Sequence, residues 1–82
     1  MSQASRQVAL RAFLGSLCDV SALGDQDDLF AGGFVNSLYL VSLLNFVQGE
    51  FGVVLDEEDF DMANFRSIRA VLDFVARKRG EA

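Results

Sequence analysis

One serine of this chain stands where a hydroxyl could serve as an attachment point or as a nucleophile. Ser37 lies in the segment 33–38, with the sequence GFVNSL, directly before an apolar stretch that predicts a helix. Serine is a favoured N-cap, so Ser37 is expected to cap this helix and to keep its hydroxyl exposed. Because a helix N-terminus carries partial positive charge and free N–H groups, a phosphate attached to Ser37 would lie in a favourable field.

The other residues offer little catalytic chemistry. The sequence has no histidine, which excludes Ser–His and Cys–His nucleophile pairs and histidine metal sites. Gly32 and Gly33 have no lysine behind them and are interpreted as a turn rather than as a phosphate loop. Two acidic clusters, at 25–28 and 56–61, lack the ligand spacing of a calcium loop. We therefore expect no catalytic residue, no metal site and no enzymatic activity.

Charge and hydropathy limit the partners and the location. A formal net charge of -5 and the absence of a basic run argue against nucleic acid and against anionic membranes. The two acidic clusters are interpreted either as solvated loops or as a docking surface for a basic partner. Residues 1–8 lack the pattern of a secretory signal, and no stretch has the about 20 apolar residues of a membrane span. A cytoplasmic monomer is the expectation.

Length and composition predict one small all-α domain spanning residues 1–82. A chain of 82 residues can bury one modest core, and a start at Met1 without a linker favours a free-standing protein. Apolar residues make up 51% of the chain, proline is absent, and no sustained alternation indicates strands. Cys18, the only cysteine, is expected to be a small buried filler, with a reactive thiol as the alternative.

Apolar periodicity predicts three helices and one short helical turn. The first helix is expected from about Ser5 to Cys18, and the second from Ser37 to between Gly49 and Gly52, with Gly52 as the left-handed C-terminal residue. Their buried stripes are Leu10, Phe13, Leu14 and Leu17, and then Leu40, Leu43, Leu44, Val47 and Phe51. The loop between these helices is expected to be anchored by Leu29, Phe30 and Phe34.

The C-terminal part is expected to hold a short turn at 59–64 and the last helix. Phe60 and Phe65 are expected to insert into the core around that turn. Ser67 is the predicted cap of the last helix, and its buried stripe is Ile68, Val71, Leu72 and Val75. Asp73 and Arg77 have the spacing of an i, i+4 ion pair.

This order of features resembles the acyl carrier and peptidyl carrier protein family over nearly the whole chain. The resemblance rests on DLF at 28–30, GFVNSL at 33–38, FGV at 51–53, DF at 59–60 and FRSI at 65–68. It implies a four-helix bundle with a short third helix. In that family the serine of an Asp-Ser-Leu triplet receives 4'-phosphopantetheine from coenzyme A, and the matching residue here is Ser37. The thiol of the arm then carries an acyl or aminoacyl group as a thioester.

The sequence departs from the family pattern at Asn36, where most carriers have aspartate. Asparagine keeps the shape and a hydrogen-bonding oxygen but loses the charge, which bears on recognition by a general transferase. The FVNSL form resembles discrete carriers of unusual polyketide extender units, such as methoxymalonyl or hydroxymalonyl groups. The segment 59–65 resembles D-alanyl carrier proteins. Both resemblances imply a discrete carrier of a small polar cargo, with polyketide or antibiotic biosynthesis as the expected setting.

The resemblance also implies partner enzymes that dock beside Ser37. They are a phosphopantetheinyl transferase, a cargo-loading adenylating enzyme or acyltransferase, and downstream synthase or tailoring enzymes. The second helix has Glu50 as its only acid, so apolar and hydrogen-bond contacts are expected to dominate docking. The candidate docking residues are Asn36, Leu38, Tyr39, Val41, Ser42 and Asn45. Leu38 and Val41 could equally be partly buried, whereas Tyr39 lies off the stripe and is expected to be exposed.

Two other functions are weighed against a carrier. In the first, the chain is a helical interaction module, Ser37 is only a helix cap, and the acidic loops bind a basic partner. In the second, the chain is a small hydrolase with Ser37 as its nucleophile, but no histidine or nearby lysine supplies a base. If Leu40 and Phe46 fill the interior, the cargo of a carrier is displayed at the surface.

Overall fold

The computed structural model describes residues 2–33 and 35–81. Within these residues the chain forms three α-helices, α1 (Gln3–Leu17), α2 (Ser37–Phe51) and α3 (Ile68–Lys78), and two single 3-10 turns, Glu57–Asp59 and Met62–Asn64. The predicted all-α fold is confirmed. Two 3-10 turns stand where a short third helix was expected. No helix of the described residues is long and apolar enough to cross a membrane.

One apolar core joins the three helices. The helices contribute Leu10, Leu14, Leu43, Val47, Phe51, Ile68, Val71, Leu72, Phe74 and Val75, and the connecting segments contribute Leu23, Leu29, Val35, Val53 and Phe65. The predicted stripe of α3 is therefore fully buried. Four members of the other two stripes, Phe13, Leu17, Leu40 and Leu44, are half-buried. Apolar spacing gave the correct face of each helix but not how deeply each side chain is buried.

The long loop before α2 is fixed to α3. The Leu29 N–H donates to the Arg66 carbonyl at 2.7 Å, and the Arg69 N–H donates to the Asp25 carbonyl at 2.8 Å. Leu29 is fully buried, as expected, whereas Phe30 is half-buried. The predicted anchor Phe34 lies outside the described residues. These bonds fix the direction from which the chain enters α2.

Three aspartates of the two acidic clusters hold elements of the fold together. The Asp25 carboxylate accepts from the Arg11 guanidinium at 2.5 Å, which lowers the pKa of Asp25. Lys78 bridges Asp56 and Asp59 at 3.3 and 2.7 Å, and its hydrogen bond lowers the pKa of Asp59. The simple interpretation of these acids as solvated loop charge is therefore incomplete.

Arg6 is a buried charge that ties α1 to the C-terminal segment. Only 1% of its surface is exposed, and its guanidinium donates to both carboxylate oxygens of Glu81 at 2.7 and 2.6 Å. This bond is the main reason that the pKa of Glu81 falls from 4.5 to about 2. Gln3 accepts a further hydrogen bond from Arg6 at 2.8 Å, so the buried charge has three acceptors.

Three sequence predictions about side chains are wrong. Phe60 is 56% exposed, whereas Phe65 inserts and meets the Phe74 ring at 5.3 Å. Asp73 does not pair with Arg77; it lies 3.9 Å from Arg69, one turn earlier on α3. Arg77 instead donates to Asn64 at 3.1 Å and lies 6.0 Å from the centre of the Phe74 ring. Cys18 is half-buried, not fully buried, and its thiol donates to the Leu14 carbonyl at 3.5 Å.

Candidate functional site

Asn36, not Ser37, caps the N-terminus of α2. Asn36 has extended backbone angles, and its Oδ1 accepts from the N–H groups of Leu38 and Tyr39, both at 3.0 Å. Its carbonyl accepts the first helical hydrogen bond, from the Leu40 N–H at 2.8 Å. Val35 before it is buried, and its N–H donates to the Leu29 carbonyl at 3.0 Å. The cap is therefore anchored to the core on one side and to the helix on the other.

Ser37 is the first residue of α2, and its side chain is available. The residue is exposed, and its hydroxyl makes no hydrogen bond with any residue in the described part of the chain. The prediction that Ser37 is the cap was wrong because asparagine and serine cap helices about equally well, and the asparagine comes first. The interaction-module interpretation made Ser37 a cap, and that role belongs to Asn36. A serine hydrolase requires a base hydrogen-bonded to its nucleophile, and no described residue provides one at Ser37.

The electrostatic environment of Ser37 suits an anion. The stretch 37–49 has no charged side chain, so nothing on α2 near its start opposes or screens the positive end of the helix. The Asn36 cap is neutral, and therefore adds no negative charge beside the serine. A phosphate bonded to Ser37 Oγ would meet the field of the helix without a neighbouring acid on α2.

The comparison with protein families identifies a known type of domain in this sequence. The family model described as the phosphopantetheine attachment site matches residues 8–75, from within α1 to within α3. The chain belongs to the phosphopantetheine-binding carrier family. The cofactor of this carrier domain is 4'-phosphopantetheine, attached covalently. A search of curated proteins finds no significant match to the chain.

The space beside α2 is too small for a large enclosed ligand. Between α2 and the segment 57–64, the carrier domain has one cavity of about 50 Å³, lined by Leu40, Leu44, Phe60, Asp61, Met62 and Phe65. Pockets that enclose a drug-sized ligand have volumes of about 300–1,000 Å³, so this space is far too small to enclose a long acyl chain. Phe46 stacks on Phe13 at 4.4 Å and meets Phe51 edge-on at 5.5 Å, so these three rings pack α2 against α1.

The predicted docking residues divide into exposed and packed groups. Leu38 is 73% exposed and Val41 is 57% exposed, and they lie three residues apart on one face of α2. Asn36 and Asn45 are also exposed, whereas Ser42 is half-buried. The prediction that Tyr39 is exposed is wrong, because its ring is half-buried and packs against the core.

Sequence reasoning missed two exposed apolar residues beside α2. Phe60 and Met62 are 56% and 55% exposed, and both line the rim of the small cavity next to α2. The signal that could have found them is that Phe60 lies between Asp59 and Asp61, and Met62 follows Asp61, since charged neighbours keep such a segment at the surface. Among the described residues, no group of three or more potential ligands could hold a metal ion.

Proposed function

We propose that Ser37 carries the 4'-phosphopantetheine arm and that the chain is a stand-alone carrier of a small acyl or aminoacyl cargo. The observation that supports this assignment is the exposed hydroxyl at the first position of α2, which has no capping role because Asn36 provides the cap. The setting we propose is polyketide or related secondary-metabolite biosynthesis, and the motif FVNSL at 34–38 supports it.

The chain contributes position rather than catalysis to the attachment reaction. Ser37 Oγ attacks the β-phosphorus of coenzyme A inside a separate transferase, which takes the hydroxyl proton and supplies the metal ions and acids. The bond from that phosphorus to the bridging oxygen breaks, and adenosine bisphosphate leaves. The positive end of α2 stabilises the resulting phosphodiester. Once attached, the arm supplies a thiol that holds the cargo as a thioester.

The cargo is proposed to stay at the surface of the domain. Leu40 and Leu44 on α2 close one side of the cavity of about 50 Å³, and Phe65 closes another. The Phe13 and Phe46 rings stack on each other at 4.4 Å and pack against the core between α1 and α2. A long acyl chain would have to displace these contacts, whereas a small polar cargo gains nothing from leaving water. A small, solvent-exposed cargo is therefore the best fit.

Partner enzymes are proposed to dock on the exposed apolar face of α2. Leu38 and Val41 provide its anchors, with Asn36 and Asn45 supplying hydrogen bonds at its edges. The absence of charge over 37–49 makes electrostatic steering weak, so association should depend little on salt. The partners are the transferase, a loading enzyme and downstream synthase or tailoring enzymes. Tethering the cargo lets each of these contacts be weak and brief.

Intact mass measurements on matched serine variants test the assignment. The wild type, Ser37→Ala and Ser42→Ala are each incubated with coenzyme A and a promiscuous phosphopantetheinyl transferase. Ser42 is the control because it lies on the same helix but is half-buried. The wild type and Ser42→Ala should gain one phosphopantetheine, and Ser37→Ala should gain none. A gain on Ser37→Ala, or no gain on the wild type with several transferases, would contradict the proposal.

A further inference from the structure

The Asn36–Ser37 pair can undergo a reaction that does not involve the arm. Asparagine followed by a small residue can lose its amide when the next backbone nitrogen attacks the side-chain carbonyl carbon. Asn36 is exposed, and the serine after it places no bulky side chain over the peptide. As the first residue of α2, Ser37 has a backbone N–H without a helical acceptor, and no described residue accepts from it.

The cap geometry activates the side-chain carbonyl of Asn36 for this attack. Oδ1 accepts two backbone N–H groups at 3.0 Å, so the carboxamide is held beside the first turn of α2. Attack on Cγ places negative charge on Oδ1, where these two donors already point. This is the arrangement of an oxyanion hole, in which donors lie about 2.7–3.1 Å from the developing charge. The positive end of α2 also favours loss of the Ser37 amide proton.

The other two asparagines lack these features and serve as internal controls. Asn45 lies inside α2 before Phe46, whose N–H is used by the helix. Asn64 is half-buried, its amide donates to the Asp59 carbonyl at 3.0 Å, and the N–H of the following Phe65 donates to Met62 at 3.0 Å. Each therefore has a bulky neighbour and an occupied nucleophile.

We propose that Asn36 is a site of spontaneous deamidation, which converts the neutral cap beside Ser37 into an acid. The Ser37 nitrogen gives up its proton to hydroxide and bonds to Asn36 Cγ, the Cγ–Nδ2 bond breaks, and ammonia leaves. Water then opens the resulting succinimide at either carbonyl. The products are aspartate and isoaspartate, and the net change is one water consumed and one ammonia released.

The two products change the site in opposite ways. Aspartate keeps both cap bonds and adds one negative charge to a chain of formal net charge -5. Isoaspartate inserts an extra carbon into the main chain and so removes the capping side chain from its position. The effect of this added charge on a transferase rests on the proposed role of Ser37, because the transferase would bind beside the hydroxyl. The deamidation itself does not depend on that role.

Isotope labelling and peptide mapping test the proposal on the purified chain. The folded protein and a denatured sample are incubated at mildly alkaline pH in heavy-oxygen water, digested, and fragmented to locate the label. Asn36→Gln is the matched variant, since its longer side chain forms the cyclic intermediate less readily. The folded wild type should take up label at position 36 while Asn45 and Asn64 keep their amides. Uptake at position 36 should be faster in the folded chain than in the denatured chain. Folded Asn36→Gln should take up no label there.

The outcomes separate this proposal from the carrier assignment. Conversion of Asn36 in the folded chain that is no faster than in the denatured chain would overturn it, because the cap would then protect the amide. The aged protein is next resolved by charge, and both forms are given coenzyme A and a transferase. If neither form gains the arm, the role of Ser37 fails while deamidation stands. If no label enters position 36 but the arm is attached, the deamidation proposal fails while the role of Ser37 stands.

Discussion

Replacing Asn36 and Ser37 one at a time should separate helix capping from attachment. Oδ1 of Asn36 satisfies two N–H groups of α2, so Asn36→Ala leaves both without this acceptor. Loss of a cap of this kind costs about 1 kcal/mol, with about 2 kcal/mol as the upper end. For a chain of this size that corresponds to a fall in Tm of about 4–8 °C per kcal/mol. Asn36→Asp keeps the cap and should raise stability by about 0.3–1 kcal/mol through the helix dipole.

Ser37→Ala should leave stability nearly unchanged. Its exposed hydroxyl bonds to none of the described residues, and alanine favours a helix more than serine does, so the change should stay within about 0.5 kcal/mol. Chemical denaturation followed by circular dichroism measures all three variants under one condition. If Ser37→Ala lost as much stability as Asn36→Ala, the cap assignment would be refuted, and with it the argument that the Ser37 hydroxyl is available.

Three further predictions concern acid stability, the core and docking. Arg6 lowers the pKa of Glu81 from 4.5 to about 2, so the ion pair stabilises the fold fully above about pH 4.5. This stabilisation is lost as the pH falls towards 2. Glu81→Gln should therefore flatten the plot of unfolding free energy against pH between these two values. Phe65→Ala should lower the free energy of unfolding by about 3–5 kcal/mol because Phe65 is 2% exposed, whereas Phe60→Ala should lower it by less than about 1 kcal/mol. Equal losses for the two variants, measured by urea unfolding, would contradict this packing. Leu38→Ala should leave stability within about 0.5 kcal/mol and raise the KM of the transferase for the carrier, with little salt dependence; an unchanged KM would exclude Leu38 as an anchor.

The sequence predicted the helices well because their apolar residues recur with the period of an α-helix. The stripe of α3, its cap Ser67 and the left-handed Gly52 after α2 all follow from such local signals. The cap of α2 could not be predicted from local signals, because Asn36 and Ser37 are adjacent and equally suited to cap a helix. Only the backbone geometry distinguishes them.

Contacts between distant parts of the chain were not predictable from sequence patterns. Phe60 and Phe65 flank the same turn, and the fold places Phe65, not Phe60, against Phe74 in the core. Arg6 looks like a solvent-exposed charge on α1, and its partner Glu81 lies 75 residues away. The hydroxyl of Ser37 could be identified as the candidate site, but its freedom from a capping role required the structure.

Locating the arm on the protein tests the central claim most directly. The wild type, after reaction with coenzyme A and a transferase, is digested and its peptides are fragmented to find the modified residue. The account predicts a phosphopantetheine on Ser37 alone, with Ser42 in the same helix unmodified. An arm on any other residue, or no arm on a chain that remains folded, would contradict it.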